Sequence, residues 1–166
     1  MKIFVTSDTH FGHKNIIKYC NRPFSSIEEM DLAIESIWNA LVDTQDVVFH
    51  LGDVTLSNSE RYKNLLNRLN GRKILVVGNH DQKPIIDLGC WKKVFKNFHF
   101  TYKGIKVHMR HIPWIKTNPN DLFLHGHCHG AMGIRNKGQI DVGVDCWDFA
   151  PVEIDEIIEF WKEKLS

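Results

Sequence analysis

Three short apolar runs, residues 2–6, 46–51 and 73–77, each break off into a polar loop carrying a carboxylate or an amide. Runs of this length, rich in Val and Ile, read as strands. Between them, apolar residues recur at helical spacing: Ile27, Met30, Ile34, Ile37, Trp38 and Leu41, then Tyr62, Leu65, Leu66 and Leu69. These stripes are core packing. A serine with a glutamate three residues on heads each stretch: Ser25 with Glu28 or Ser26 with Glu29, then Ser57 with Glu60. Asn70-Gly71 stops the second. Strand, helix, strand, helix, strand makes two βαβ units, and these demand a parallel sheet. A parallel sheet brings its strand-exit loops to one edge, where α/β sheets bind ligands. Those loops hold Asp8, Asp53 and Asn79.

Each loop admits two readings by itself. Asp8 and His10 lie two apart, so extended backbone projects both to one side as half of a metal site. They also suit an N-cap beside a solvated histidine. In Gly78-Asn79-His80-Asp81, Asn79 offers a hard oxygen ligand, and His80 can serve as a general acid with Asp81 available to orient it. The same four residues also suit a tight turn ahead of a helix. His13 either reaches a substrate phosphate or caps the short helical turn around Asn15, Ile16 and Ile17.

The second half changes character. Short strand-like segments at 94–95, 98–100, 105–107, 122–124 and 139–142 suggest a second, largely antiparallel sheet. Polar clusters follow two of them, Arg110-His111-Ile112-Pro113-Trp114 and His125-Gly126-His127-Cys128-His129. A closing helix over about 152–165 carries Ile154, Ile157, Ile158 and Trp161 as a packing stripe.

At 166 residues the chain reads as one domain, 1–166, with room for a sizeable core. A net charge of +1 argues against wrapping duplex nucleic acid or coating a membrane. No apolar run approaches a membrane span, and no signal peptide precedes the first strand. Cys20, Cys90, Cys128 and Cys146 form no CxxC pair. A cytoplasmic protein with reduced thiols is the expectation, against a secreted one with two disulfides. The unusual count is ten histidines, crowded beside glycines and aspartates.

In order, the polar clusters are Asp8-x-His10, Gly52-Asp53, Gly78-Asn79-His80-Asp81, His111-x-Pro113 and Gly126-His127-x-His129. This ordered set resembles the calcineurin-like metallophosphoesterases. The 7–17 stretch and Arg22-Pro23-Phe24 further resemble small bacterial and phage members. The resemblance implies a four-layer α/β/β/α sandwich of two mixed sheets flanked by helices. It also implies two metals above the strand ends. One would take Asp8, His10, Asp53 and His129; the other would take Asp53, Asn79, His111 and His127, with Asp53 bridging. His80 would be the acid. Asp81 stands where many relatives have Glu, and Cys128 where many have Thr or Ser.

Mixed imidazole and oxygen ligands favour manganese, with iron, zinc or nickel as alternatives, over calcium or magnesium. Two such ions about 3.5–4 Å apart can hold a hydroxide and clamp both ends of an in-line displacement, so no serine or cysteine nucleophile is needed. The expected activity is hydrolysis of a phosphomonoester or a small, nucleotide-like phosphodiester. His13, Arg22, Arg110 and Lys14 are candidate phosphate contacts, each competing with simple surface solvation. His50, His99, His108 and His125 read as structural or supporting. His50 is placed to donate to a ligand carboxylate, and His125 shares parity with His127 and His129. Two rivals stand outside this chemistry. One is a silent scaffold that binds proteins, which would have no need of His80 and the ligands. The other is a structural zinc site, which favours closed Cys/His sets.

Overall fold

The computed structural model describes residues 1–57, 59–136 and 138–163. In chain order, its first half runs β1 (Ile3–Thr6), α1 (Lys14–Tyr19), α2 (Ile27–Leu41), β2 (Val47–His50), α3 (Glu60–Arg68), β3 (Arg72–Val76), α4 (Lys83–Ile86) and β4 (Trp91–Phe95). The second half runs β5 (Asn97–Tyr102), β6 (Ile105–Arg110), β7 (Leu122–His125), β8 (Arg135–Asn136), β9 (Gln139–Asp141), β10 (Val152–Glu153) and α5 (Ile154–Lys162). A 3₁₀ turn at Val144–Cys146 lies between β9 and β10.

Two mixed sheets result, ordered β10-β1-β2-β3-β4 and β5-β6-β7-β9-β8. The parallel pairing of β1, β2 and β3 is as the βαβ pattern requires. The strands alternate faces. Phe4, Val48 and Leu75 pack outward beneath Met30, Ile34 and Trp38 of α2 and Leu65 and Leu66 of α3. Val5, Phe49 and Val76 turn inward to meet Val107, Met109, Leu122, Leu124 and Ile140 of the second sheet. Ile154, Ile157, Ile158 and Trp161 of α5 join that inner cluster.

The second half departs from its expected topology in two ways. The segment containing Val94-Phe95 belongs to the first sheet, as the parallel edge strand β4. The centre of the second sheet is also parallel, β6 with β7 and β7 with β9, leaving only the β5–β6 and β8–β9 pairs antiparallel. The reason is connectivity. Residues 111–121 cross from β6 to β7 as irregular chain without a helix, so no helical signal announces the crossover.

Helix ends differ in detail too. At α2, Ser26 is the N-cap and its side chain accepts from the Glu29 amide at 3.1 Å, while Glu29 accepts from the Ser25 amide at 2.7 Å. At α3 the N-cap is Ser59 rather than Ser57, and its side chain makes no cap bond. The C-terminal helix starts at Ile154 because Val152 and Glu153 pair with β1. Its expected end near Leu165 lies outside the described residues. All four cysteines are free thiols. Among the described residues, no helix is long and apolar enough to cross a membrane.

Candidate metal centre

Parallel neighbours end at the same edge. The exits of β1, β2 and β3 deliver Asp8, Asp53 and Asn79, and the exits of the parallel pair β6 and β7 deliver His111 and then His127 and His129. The sheets are stitched together there. Val144 donates its amide to the Ser7 carbonyl at 3.0 Å and His127 to Asp8 Oδ2 at 2.9 Å, while within the second sheet Gly126 donates to the His111 carbonyl at 2.9 Å.

The resulting cluster is tight. Asp53 Oδ2 stands 3.6 Å from His10 Nε2 and 3.4 Å from His111 Nε2. Asp8 Oδ1 is 3.9 Å from both His10 Nε2 and His129 Nε2. Asp8, His10 and His129 present ligand atoms all within 4.8 Å of one another, as do Asp8, Asp53 and His111. Asn79 adds its amide oxygen 3.0 Å from His127 Nδ1. Asp8, His10, Asp53 and His111 are buried, whereas Asn79, His80 and His127 are exposed. The floor is therefore closed and the roof open to solvent.

Backbone conformation is part of this geometry. Asp8, His10, Asp53, His127 and His129 all adopt positive φ, between 48° and 72°. Non-glycine residues held there cost of order 1–3 kcal/mol each and collect at functional sites. Glycines let the loops meet. A Cβ at Gly126 would collide with Ser7 Oγ and Asp8 Oδ2. Gly52 and Gly78 lie backbone against backbone, so a Cβ on either would strike main-chain atoms of the other loop.

The electrostatics set buried carboxylates and imidazoles against one another. Burial pushes Asp8 up to about 7 and drives His10 down to about 3. Burial would also raise Asp53, but the close approach and charge of His111, with the His80 amide, hold it at about 2. Burial opposes protonation of His129, yet Asp145, Cys20 and Asp8 together raise it to about 10. Asp8 Oδ1, both ring nitrogens of His10 and Nε2 of His111 are buried with no hydrogen-bond partner among the described residues. Such orphans cost about 1–3 kcal/mol apiece. Divalent cations placed among them would satisfy Asp8 Oδ1, His10 Nε2 and His111 Nε2 together, so the residues fit the metals that the sequence motifs imply.

Several candidates are placed differently from the sequence reading. Asp81 uses its carboxylate on backbone: Oδ2 accepts from Gly78 N at 2.7 Å and Asp53 N at 3.1 Å, and Oδ1 from Val54 N at 2.9 Å. It staples the second and third loops together instead of holding the His80 ring. Arg22 is buried with Asp145, as taken up below, and so is not free for a substrate phosphate. Arg110 stacks on Trp114 and donates to the carbonyls of Ile112 and Pro113, with its side chain at the rim of a cleft. His13, by contrast, faces the site, its ring centroid 5.5 Å from that of His10.

His50 donates to a hydroxyl, not to a ligand carboxylate. Its Nδ1 accepts from the Gly52 amide at 3.2 Å, which leaves Nε2 to donate to Thr9 Oγ1 at 3.0 Å. Thr9 in turn donates to the Val54 carbonyl at 2.9 Å. His125 is buried with Nδ1 2.7 Å from the Gly126 carbonyl. Thr9 and Asp145 escaped sequence reasoning: Thr9 is the unassigned middle residue of Asp8-x-His10, and Asp145 belongs to no polar cluster with recognisable spacing.

Two clefts open on the cluster. One, of about 460 Å³, is lined by His10, His13, Asp53, His80, His127 and His129. The other, of about 450 Å³, is lined by Asn79, Lys96, Asn97, Arg110 and His111 among others.

A model of the calcineurin-like phosphoesterase family matches residues 1–163. An uncharacterised protein of Methanocaldococcus jannaschii is 37% identical over 169 residues, covering 95% of this chain and 90% of that one. The gene 66 protein of Mycobacterium phage L5 is 27% identical over 178 residues, covering 86% of each. Among solved structures, a protein of unknown function from Aquifex aeolicus superposes with a TM-score of 0.78 at 24% identity. That alignment covers 96% of this chain and 98% of the other, and it shows the shared fold.

Proposed function

The chain belongs to the calcineurin-like phosphoesterase family, and from that premise we propose a hydrolase of small phosphate esters that depends on two divalent metal ions. The observation that carries this reading is the set of orphaned buried atoms on Asp8, His10 and His111, with Asp53 Oδ2 standing between the two histidines. Asp8, His10, Asp53 and His129 would hold one ion, and Asp53, Asn79, His111 and His127 the other. Manganese is the first candidate, with iron, zinc or nickel as alternatives. When bound, such ions polarise a phosphoryl oxygen and supply an activated water.

The chain's own residues do the rest. Asp53 is anchored by two contacts of its own: its Oδ1 accepts the His80 amide at 3.0 Å, and its amide is held by Asp81. The first contact ties His80 to the cluster and leaves its ring at the cleft, 6.2 Å from the His10 ring. There His80 can give a proton to a departing alkoxide, a contribution of about 10²–10⁴ in rate. His13 lines the same cleft and suits a contact to a phosphate oxygen. Clefts on both sides of the cluster leave room for substituents on each side of phosphorus, which favours a small, nucleotide-like phosphodiester over a monoester. The near-neutral net charge argues against long duplex nucleic acid as the substrate. We place its action within one domain spanning 1–166. Four unpaired cysteines suit the reducing cytoplasm.

The test compares wild type with His80→Ala for Mn²⁺-supported hydrolysis of p-nitrophenyl phosphate and bis-p-nitrophenyl phosphate, with metal content measured on both. Expected is a loss of about 10²–10⁴ in kcat with two ions still bound. The diester should be the better substrate. A wild type that fails to hold two ions refutes the reading.

A further inference from the structure

Arg22 is the most enclosed cation in the chain's first half and touches no substrate cleft. Its Nε and Nη2 donate to the two oxygens of Asp145 at 2.8 and 2.9 Å. Nη2 also donates to the Asp8 carbonyl at 2.7 Å, and Nη1 to the Thr9 carbonyl at 3.0 Å. Asp145 Oδ2 then meets His129 Nδ1 at 2.7 Å. One buried guanidinium thus grips the first ligand loop through its backbone and the last ligand histidine through a carboxylate.

From this geometry we infer that Arg22 and Asp145 are positioning residues that hold His129 with Nε2 aimed at the Asp8 and His10 ligand atoms. The inference rests on the ligand assignment of the proposed function. A histidine whose Nδ1–H is taken by a carboxylate has only Nε2 left to offer a metal. His111 is fixed in the same sense by another device, its Nδ1 lying 2.7 Å from the Leu51 carbonyl. Arg22 adds support where it is needed, because Asp8 and His10 flank Thr9 with φ of 58° and 49°. Hydrogen bonds to the intervening carbonyls oppose relaxation of that strained turn.

Another use of Asp145 is less consistent with the contacts. Cys20, His129 and Asp145 also present ligand atoms within 4.8 Å, as a separate metal cage would. Both carboxylate oxygens are already committed to Arg22, and one of them to His129 as well. The guanidinium charge against them disfavours a cation there. The arrangement is a clamp on a ligand.

Mn²⁺ titration, followed by calorimetry and electron paramagnetic resonance, tests this without any assay of turnover. In Asp145→Ala one of the two ions should weaken about 10–100-fold while the other is unchanged, and the spin-coupled pair should give way to isolated Mn²⁺. Asp145→Asn keeps the shape and an acceptor oxygen but loses the ion pair, and should lose less. Two ions bound as in wild type by folded Asp145→Ala, or both ions lost equally, overturns the inference. Should Asp145→Ala not fold, undiminished two-ion affinity in Asp145→Asn overturns it. A wild type holding fewer than two ions removes the ligand assignment and the inference with it.

Discussion

Replacing Asp8 by Asn should stabilise the metal-free protein and destroy its response to metal. Asp8 is fully buried, and burial raises its carboxyl from 3.8 to about 7. A shift of about 3 units at 1.36 kcal/mol each corresponds to about 4 kcal/mol of disfavoured ionisation. The attraction of His111 and His129 is already contained in that value, since both pull the Asp8 carboxyl down against burial. Relaxation and water penetration soften such a penalty, and allowing about half for them leaves about 2 kcal/mol. For a domain of this size that is about 4–8 °C in Tm. Its pH dependence has a definite sign. The folded carboxyl keeps its proton between pH 4 and 7 while the unfolded one loses it, so the Asp8 contribution to wild-type stability falls as pH rises through that window. The advantage of Asp8→Asn should be absent below about pH 4 and grow towards pH 7. Thermal melts in EDTA across this range measure it directly. Saturating Mn²⁺ should then reverse the order of stability, since only wild type retains the full ligand set. If Asp8→Asn melts below wild type in EDTA at pH 8, the carboxylate is already supported by the chain and the cage needs no cation.

Other substitutions separate the parts of the site. Asp81→Ala strips acceptors from the amides of Gly78, Asp53 and Val54 and should cost on the order of 3 kcal/mol in urea unfolding, against the small effect expected if it merely oriented an exposed ring. Gly126→Ala drives a methyl into Ser7 and Asp8 and should abolish Mn²⁺ binding in calorimetry even where the circular dichroism spectrum stays native. Ser26→Ala should cost about 1 kcal/mol through the lost helix cap, leaving hydrolysis untouched. Arg68→Ala, which removes an exposed pair with Glu35, should cost no more than about 1 kcal/mol.

The parts of this protein that can be read from its residues are those whose spacing is local. β1, β2 and β3 announce themselves by β-branched runs, and parallel pairing then forces Asp8, Asp53 and Asn79 to one edge. His111 and His127 belong to the same edge for the same reason. The residues nonetheless suggest an antiparallel second sheet, because the β6-to-β7 crossover carries no helix. β4 is mostly exposed on both faces, so no alternation says which sheet it joins. β10 and α4 are too short to show a period. Arg22 and Asp145 are 123 positions apart, and nothing near either one hints at the other. Asp81 illustrates a subtler limit. Its place beside His80 in the chain suggests a partner, but the nearest amides, not the nearest side chain, take its carboxylate.

The meeting of Gly52 and Gly78 has an evolutionary corollary. A side chain added to most packed positions can be accommodated by trimming a neighbouring side chain. Here either Cβ strikes the peptide backbone of the facing loop, which no substitution can shorten, and one on Gly78 also strikes the Asp53 carboxylate. Suppressor screens on Gly52→Ala or Gly78→Ala should therefore return reversion and almost nothing else. Drift at these two positions is closed off in pairs as well as singly, while the clefts on either side remain free to change the ester they accept.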